Sequence, residues 1–236
     1  MKKIILMMLL LLTATWAQAT LTLSQKFDSG ASVGSIPDGN PVGMAFGGNF
    51  TYAGANDQVL GVSVTLDITG GYNGNLYAYL VAPNGTVVVL LNKPGTPSGN
   101  PFGAPGSGMT AVTLADGNPG DVITLNSYAN TTATINGNPL NPTDPNGAIQ
   151  TATESPGVAL TGAYNAAGTL ANFDGSSANG EWTLFFADLT SGGGTSILND
   201  WSLNLTVVPE PVLMALLTFV AMLLALAGLK WAWKKT

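Results

Sequence analysis

Val62-Ser63-Val64-Thr65-Leu66-Asp67-Ile68-Thr69 alternates an apolar with a polar side chain at every step. Successive side chains of a strand point to opposite faces, so this pattern specifies a strand with one face in a core and the other in water. Gly70-Gly71-Tyr72-Asn73-Gly74-Asn75 follows as a turn, and Leu76 to Ala82 reads as a second strand. Pro83-Asn84-Gly85 has the residue types of a tight hairpin, Asn-Gly tolerating positive φ, and leads into a third strand from Thr86 to Leu91. These three strands are expected to be neighbours. Val112 to Leu114 and Asp121 to Leu125 read as shorter strands around Asp116-Gly117-Asn118-Pro119-Gly120-Asp121, and the Gly/Pro-rich segments 94–108 and 138–157 read as loops. Glu181 to Ala187 and Trp201 to Val207 are strands joined by a loop containing Gly192, Gly193 and Gly194. In the last of these, Trp201, Leu203, Leu205 and Val207 alternate with Ser202, Asn204 and Thr206. No stretch between 20 and 207 sustains a helical period, so the expectation is one all-β domain with a substantial core.

The ends of the chain have a different composition. Lys2 and Lys3 precede an apolar stretch from Ile4 to Leu12, and Ala17-Gln18-Ala19 supplies a small-x-small cleavage pattern. Residues 1–19 thus read as a cleavable secretory signal peptide, removed by signal peptidase, with Thr20 as the mature start. At the other end, Val208-Pro209-Glu210-Pro211 precedes an uncharged apolar run over 212–229, closed by Lys230, Lys234 and Lys235 with Trp231 and Trp233 among them. That order predicts one membrane-spanning helix at 212–229 with its lysine-rich end in the cytoplasm and the body outside. The tail, 208–236, resembles the PEP-CTERM sorting signal of exported bacterial proteins through Pro209, Glu210 and Pro211, the apolar stretch and the basic terminus. The resemblance implies processing by an exosortase-like enzyme, often where extracellular polysaccharide is made. Lysine stands where that family mostly uses arginine.

Between Thr20 and Val208 only Lys26 and Lys93 are basic against twelve acidic residues, a formal charge of 2 − 12 = −10. Such a body offers nothing to nucleic acid and repels anionic surfaces unless cations mediate. Cysteine is absent, so no disulfide holds this exported chain. Histidine is absent too, which removes Ser-His-Asp and Cys-His catalysis and the usual zinc sites. A Ser-Lys dyad would have to use Lys26 or Lys93, each expected as a solvated surface lysine. The chain is therefore read as a non-enzyme.

A second resemblance rests on Ser35-Ile36-Pro37-Asp38-Gly39, Gly61 to Thr69, Asn75 to Thr86, Asn172-Phe173-Asp174-Gly175, Gly180 to Asp188 and Trp201-Ser202-Leu203. In this order they are similar to the P domain (P/Homo B domain) over residues 24–206. That resemblance implies a jelly-roll-like β-sandwich, a module found beside the catalytic domain of proprotein convertases and subtilisin-like proteases and also on non-proteolytic exoproteins. Thr69-Gly70 stands where the family commonly has His-Thr, and Gly74-Asn75-Leu76 where it has Gly-Asp-Leu. Nothing upstream resembles a subtilisin domain.

Asp116, Asn118 and Asp121 could line an oxygen-ligand calcium site, though Asp-Gly-Asn-Pro-Gly is more commonly an ordinary turn. Trp182 and Trp201 are expected in the core and Tyr72, Tyr77 and Tyr79 as exposed contact residues. The leading expectation is an exported, non-catalytic envelope or matrix protein, released if its tail is cleaved. Its alternatives are an accessory P domain for a separate subtilisin-like protease and a carbohydrate-binding module, and the expected partners include extracellular polysaccharide or a separate protease.

Overall fold

The structure, a computed structural model, describes residues 20–51, 54, 57–94, 106–117, 134–135, 138–139, 157–208 and 219–223. Two sheets face each other as a sandwich. The first has the order β1 (Leu21–Phe27), β12 (Ser196–Val208), β4 (Gln58–Thr69), β7 (Met109–Ala115), β10 (Leu160–Tyr164), with β2 (Gly34–Ile36) beside the start of β12. The second has the order β3 (Met44–Phe50), β11 (Gly180–Asp188), β5 (Leu76–Val81), β6 (Val87–Asn92). Thr134–Ile135 (β8) and Asn138–Pro139 (β9) pair only with each other. β10 joins β7 in parallel, whereas the remaining pairings within the two sheets are antiparallel.

The alternation in 62–69 does what it predicts: Val62, Val64, Leu66 and Ile68 are buried between the sheets. The expectation that the first three strands are neighbours is half right. β5 and β6 pair through the hairpin, where Gly85 N donates to Ala82 O at 2.8 Å, but β4 lies in the other sheet. Six residues separate β4 from β5, and a 3-10 turn over Asn73–Asn75 carries the chain from one sheet to the other. Likewise β11 and β12, joined by the glycine loop, belong to opposite sheets. The expected strand at 121–125 lies outside the described residues.

Trp182 and Trp201 are fully buried, as expected, and their indole N–H groups are satisfied by Ala178 O at 3.1 Å and Ser32 O at 2.9 Å. Phe27 stacks on Trp201 with ring centroids 4.3 Å apart. A Cβ at Gly48 would stand 2.6 Å from the Phe27 ring, so β3 needs glycine where this pair crosses it. The outer face of the second sheet is buried as well, at Tyr77, Tyr79, Val89, Phe185 and Ala187, with Tyr79 stacked on Phe185 at 4.5 Å. Tyr77 and Tyr79 are thus 1 % and 4 % exposed rather than contact residues, since β5 is covered on both faces; Tyr72, in the preceding turn, is exposed.

Leu21 pairs with Val207, so both ends of the body emerge together at what we call the terminal end. Loops 37–43, 70–75 and 189–195 gather at the distal end, where β12 begins. Residues 1–19 and nearly all of 208–236, including Pro209, Glu210, Pro211, Lys230, Lys234 and Lys235, lie outside the described residues. Within the expected span, 219–223 are helical. Among the described residues no helix is long and apolar enough to cross a membrane.

Candidate functional site

The distal end carries the densest set of buried polar groups. Gly70 and Gly71 have φ of 73° and 62°, and a Cβ at Gly71 would collide with Ser196 Oγ, so the turn closes tightly over the start of β12. It delivers Asn73 and Asn75 into the interior, 0 % and 2 % exposed. Asn73 Nδ2 donates to Gly108 O at 2.8 Å, tying the turn to the start of β7. Asn75 Nδ2 donates to Thr190 O at 2.9 Å and to Gly192 O at 2.8 Å, while Leu189 N donates to Asn75 O at 2.9 Å. One asparagine thereby fixes the loop after β11. An ionised carboxylate could not make the two donations, so this position calls for the amide.

Charged groups meet beneath the same loop. Asp188 is fully buried; its Oδ1 accepts from Thr190 N at 3.1 Å, and its Oδ2 is enclosed with no hydrogen-bond partner. Burial pushes its carboxyl above the usual range, opposed by the amides of Thr190 and Gly39 and reinforced by Asp38. Asp38 accepts Gly192 N at 3.1 Å on both oxygens. Lys93, at the end of β6, is 8 % exposed with φ of 58°, and its Nζ donates to Thr190 Oγ1 at 3.0 Å. Burial lowers its pKa, opposed by Asp188. The solvated lysine expected at 93 is therefore an interior one. Its position at the end of the apolar strand Val87–Asn92 was the available signal. Lys26, by contrast, is exposed and pairs with Asp200 at 3.0 Å.

At the terminal end Asp116 accepts Leu170 N at 3.0 Å and Ala171 N at 2.8 Å, one on each oxygen, and so caps the 3-10 turn Leu170–Phe173. Asp174 follows that turn; burial raises its pKa, and Asp116 adds to the rise. The other two residues of the calcium expectation, Asn118 and Asp121, lie outside the described residues. No group of three or more acidic side chains that could hold a metal occurs among those described.

Residues 59–131, from β4 past the end of β7, match the family model of the proprotein convertase P-domain. No curated protein matches the chain. Among solved structures, the serine protease of Aeromonas sobria in complex with its chaperone is similar over 86 % of this chain and 29 % of that one, at 15 % identity and a TM-score of 0.44. A structure of a serine protease of Aeromonas sobria is similar over 84 % and 29 %, at 16 % identity and a TM-score of 0.43. The chain thus spans less than a third of the length of these proteases.

Proposed function

We propose that the chain is an exported, non-catalytic protein of the cell envelope or extracellular matrix, a jelly-roll-like, P-domain-like sandwich held at the surface by a PEP-CTERM tail read by an exosortase-like enzyme. The observation that carries this reading furthest is the position of the body's two ends. Leu21 pairs with Val207, so a tail starting at 208 leaves from the terminal end, beside the mature start. β12 has 13 residues, which sets the distal loops about 40 Å from that point. A tethered body of this shape holds its loop end away from the membrane. The absence of histidine and cysteine supports the non-catalytic part.

The test is protease shaving of spheroplasts carrying a cytoplasmic marker. The expected result is loss of 20–207 with the marker intact; a body that stays protected until lysis would overturn the topology. The P-domain match over 59–131 favours a second reading, an accessory module for a separate subtilisin-like protease. Co-purification of such a protease with the intact chain, and its loss of activity when the chain is deleted, would promote this reading over the first.

A further inference from the structure

The distal cluster brings together a buried amine, a buried carboxyl and a second carboxylate, in an exported chain with no cysteine to lock its fold. Lys93 N donates to Leu76 O at 2.7 Å, and Asp188 pairs with Leu76 from the opposite side. The two residues therefore flank one position of β5 and stand two strand spacings apart, about 9–10 Å. An extended lysine and an aspartate together bridge that distance. Thr190 already does so indirectly: its Oγ1 accepts from Lys93 Nζ at 3.0 Å, and its amide donates to Asp188 Oδ1 at 3.1 Å. Asp188 Oδ2 is enclosed and makes no hydrogen bond of its own, so the contacts through Thr190 leave part of the carboxyl unmet.

We propose that Lys93 and Asp188 are joined by an intramolecular isopeptide bond, with Asp38 relaying the proton. In this reaction the neutral Nζ of Lys93 attacks Cγ of the protonated Asp188. The new C–N bond forms, the C–O bond breaks, and the departing hydroxyl leaves as water with a proton that Asp38 takes from the amine and returns. No oxidant or co-reactant is consumed. Burial acts on both partners in the required sense, lowering the pKa of Lys93 and raising that of Asp188, and so works toward the uncharged forms that react, against the attraction between the two charges. Asp38 is close enough to affect the Asp188 carboxyl and is held by Gly192 N. The bond would fasten the end of β6 to the end of β11 across β5, a covalent tie in the place a disulfide takes in other exported domains.

Peptide mapping of the full chain, purified from the envelope and denatured before digestion, tests this directly. The expected product is a branched peptide containing Lys93 and Asp188, lighter than the two linear peptides by one water. The Lys93 amine is then unreactive toward an acylating reagent even in the unfolded chain. Recovery of both linear peptides, with Lys93 acylated, would overturn the proposal, and that outcome does not depend on any variant folding. Lys93→Met is expected to yield only linear peptides. Asp38→Asn is expected to slow bond formation about a hundredfold in newly made chain; cross-linking at the wild-type rate would overturn the part given to Asp38.

Discussion

Asn75 is 2 % exposed and donates to two carbonyls of the loop after β11, while its own carbonyl accepts from that loop. A carboxylate at this position would remove both donations and bring a negative charge up to two carbonyl oxygens. Asn75→Asp is therefore expected to destabilise the body by about 1–3 kcal/mol, read as a lower urea midpoint at unchanged slope. A midpoint equal to that of the parent would show that the loop is held by other contacts. Gly43 makes the opposite kind of demand. Its φ is 67°, and a Cβ there would run into the Phe185 ring and Phe186 O. Gly43→Ala is expected to cost more than the roughly 1 kcal/mol of an unfavourable backbone alone, because the covered aromatic face must also open. For Asp116, both oxygens already serve as caps, so equal melting temperatures in millimolar calcium and in chelator are expected. A rise with calcium would assign an ion to this end of the sandwich.

Both edges of the second sheet are closed by groups outside it. On β3, Gly47 O accepts from Ser32 Oγ at 3.0 Å and Asn49 O from Gln25 Nε2 at 2.6 Å. On β6, Leu90 O and Val89 O accept from the amides of Ala167 and Gly168 at 3.1 and 2.8 Å. Exposed edges invite pairing with other chains, and these bonds remove acceptors from that role. Ser32→Ala with Gln25→Ala should leave the fold intact but increase association of the purified body, measurable by light scattering; unchanged scattering would show that Phe27 and its neighbours protect the edge unaided. The same strands explain what could be read in advance. β4 and β12 each bury one face against the core and wet the other, so alternation marks them, and the Asn-Gly hairpin marks β5 and β6. β3 holds Gly47 and Gly48, the second required by Phe27, and so lacks the side chains that would announce a strand. β1 buries only Phe27 of its seven residues and leaves little pattern. Alternation says that a face is buried but not in which sheet, which is why β4 was expected beside β5. Of the distal cluster, Asn75 was marked by its departure from Gly-Asp-Leu. The meeting of Lys93, Asp188 and Asp38 arises from strand register and loop packing that no local pattern encodes.

Across the whole molecule, the body has far more acidic than basic groups, and its stability should follow their ionisation. The formal charge of residues 20–207 is 2 − 12 = −10, and Lys26 pairs with Asp200 at 3.0 Å. As pH rises through the carboxylate range, repulsion among these groups accumulates in the compact state more than in the unfolded chain. Asp174 acts in the same direction. Its pKa is raised in the folded body above the ordinary 3.8, first by burial and then by Asp116. The folded state thus binds that proton more tightly than the unfolded state, and the stability this confers is complete below 3.8 and declines as pH climbs through the raised value. Because the group is exposed, its share is small beside the summed repulsion. The urea midpoint of the body is therefore expected to be higher at about pH 4 than at about pH 7 in low salt, and the difference to shrink in about 1 M salt, where screening reaches within a few ångströms. Asp174→Asn should reduce the slope slightly without reversing it. A midpoint that rises with pH in low salt would mean that favourable pairing of the carboxylates outweighs their repulsion, and that the acidity of this body contributes to its stability.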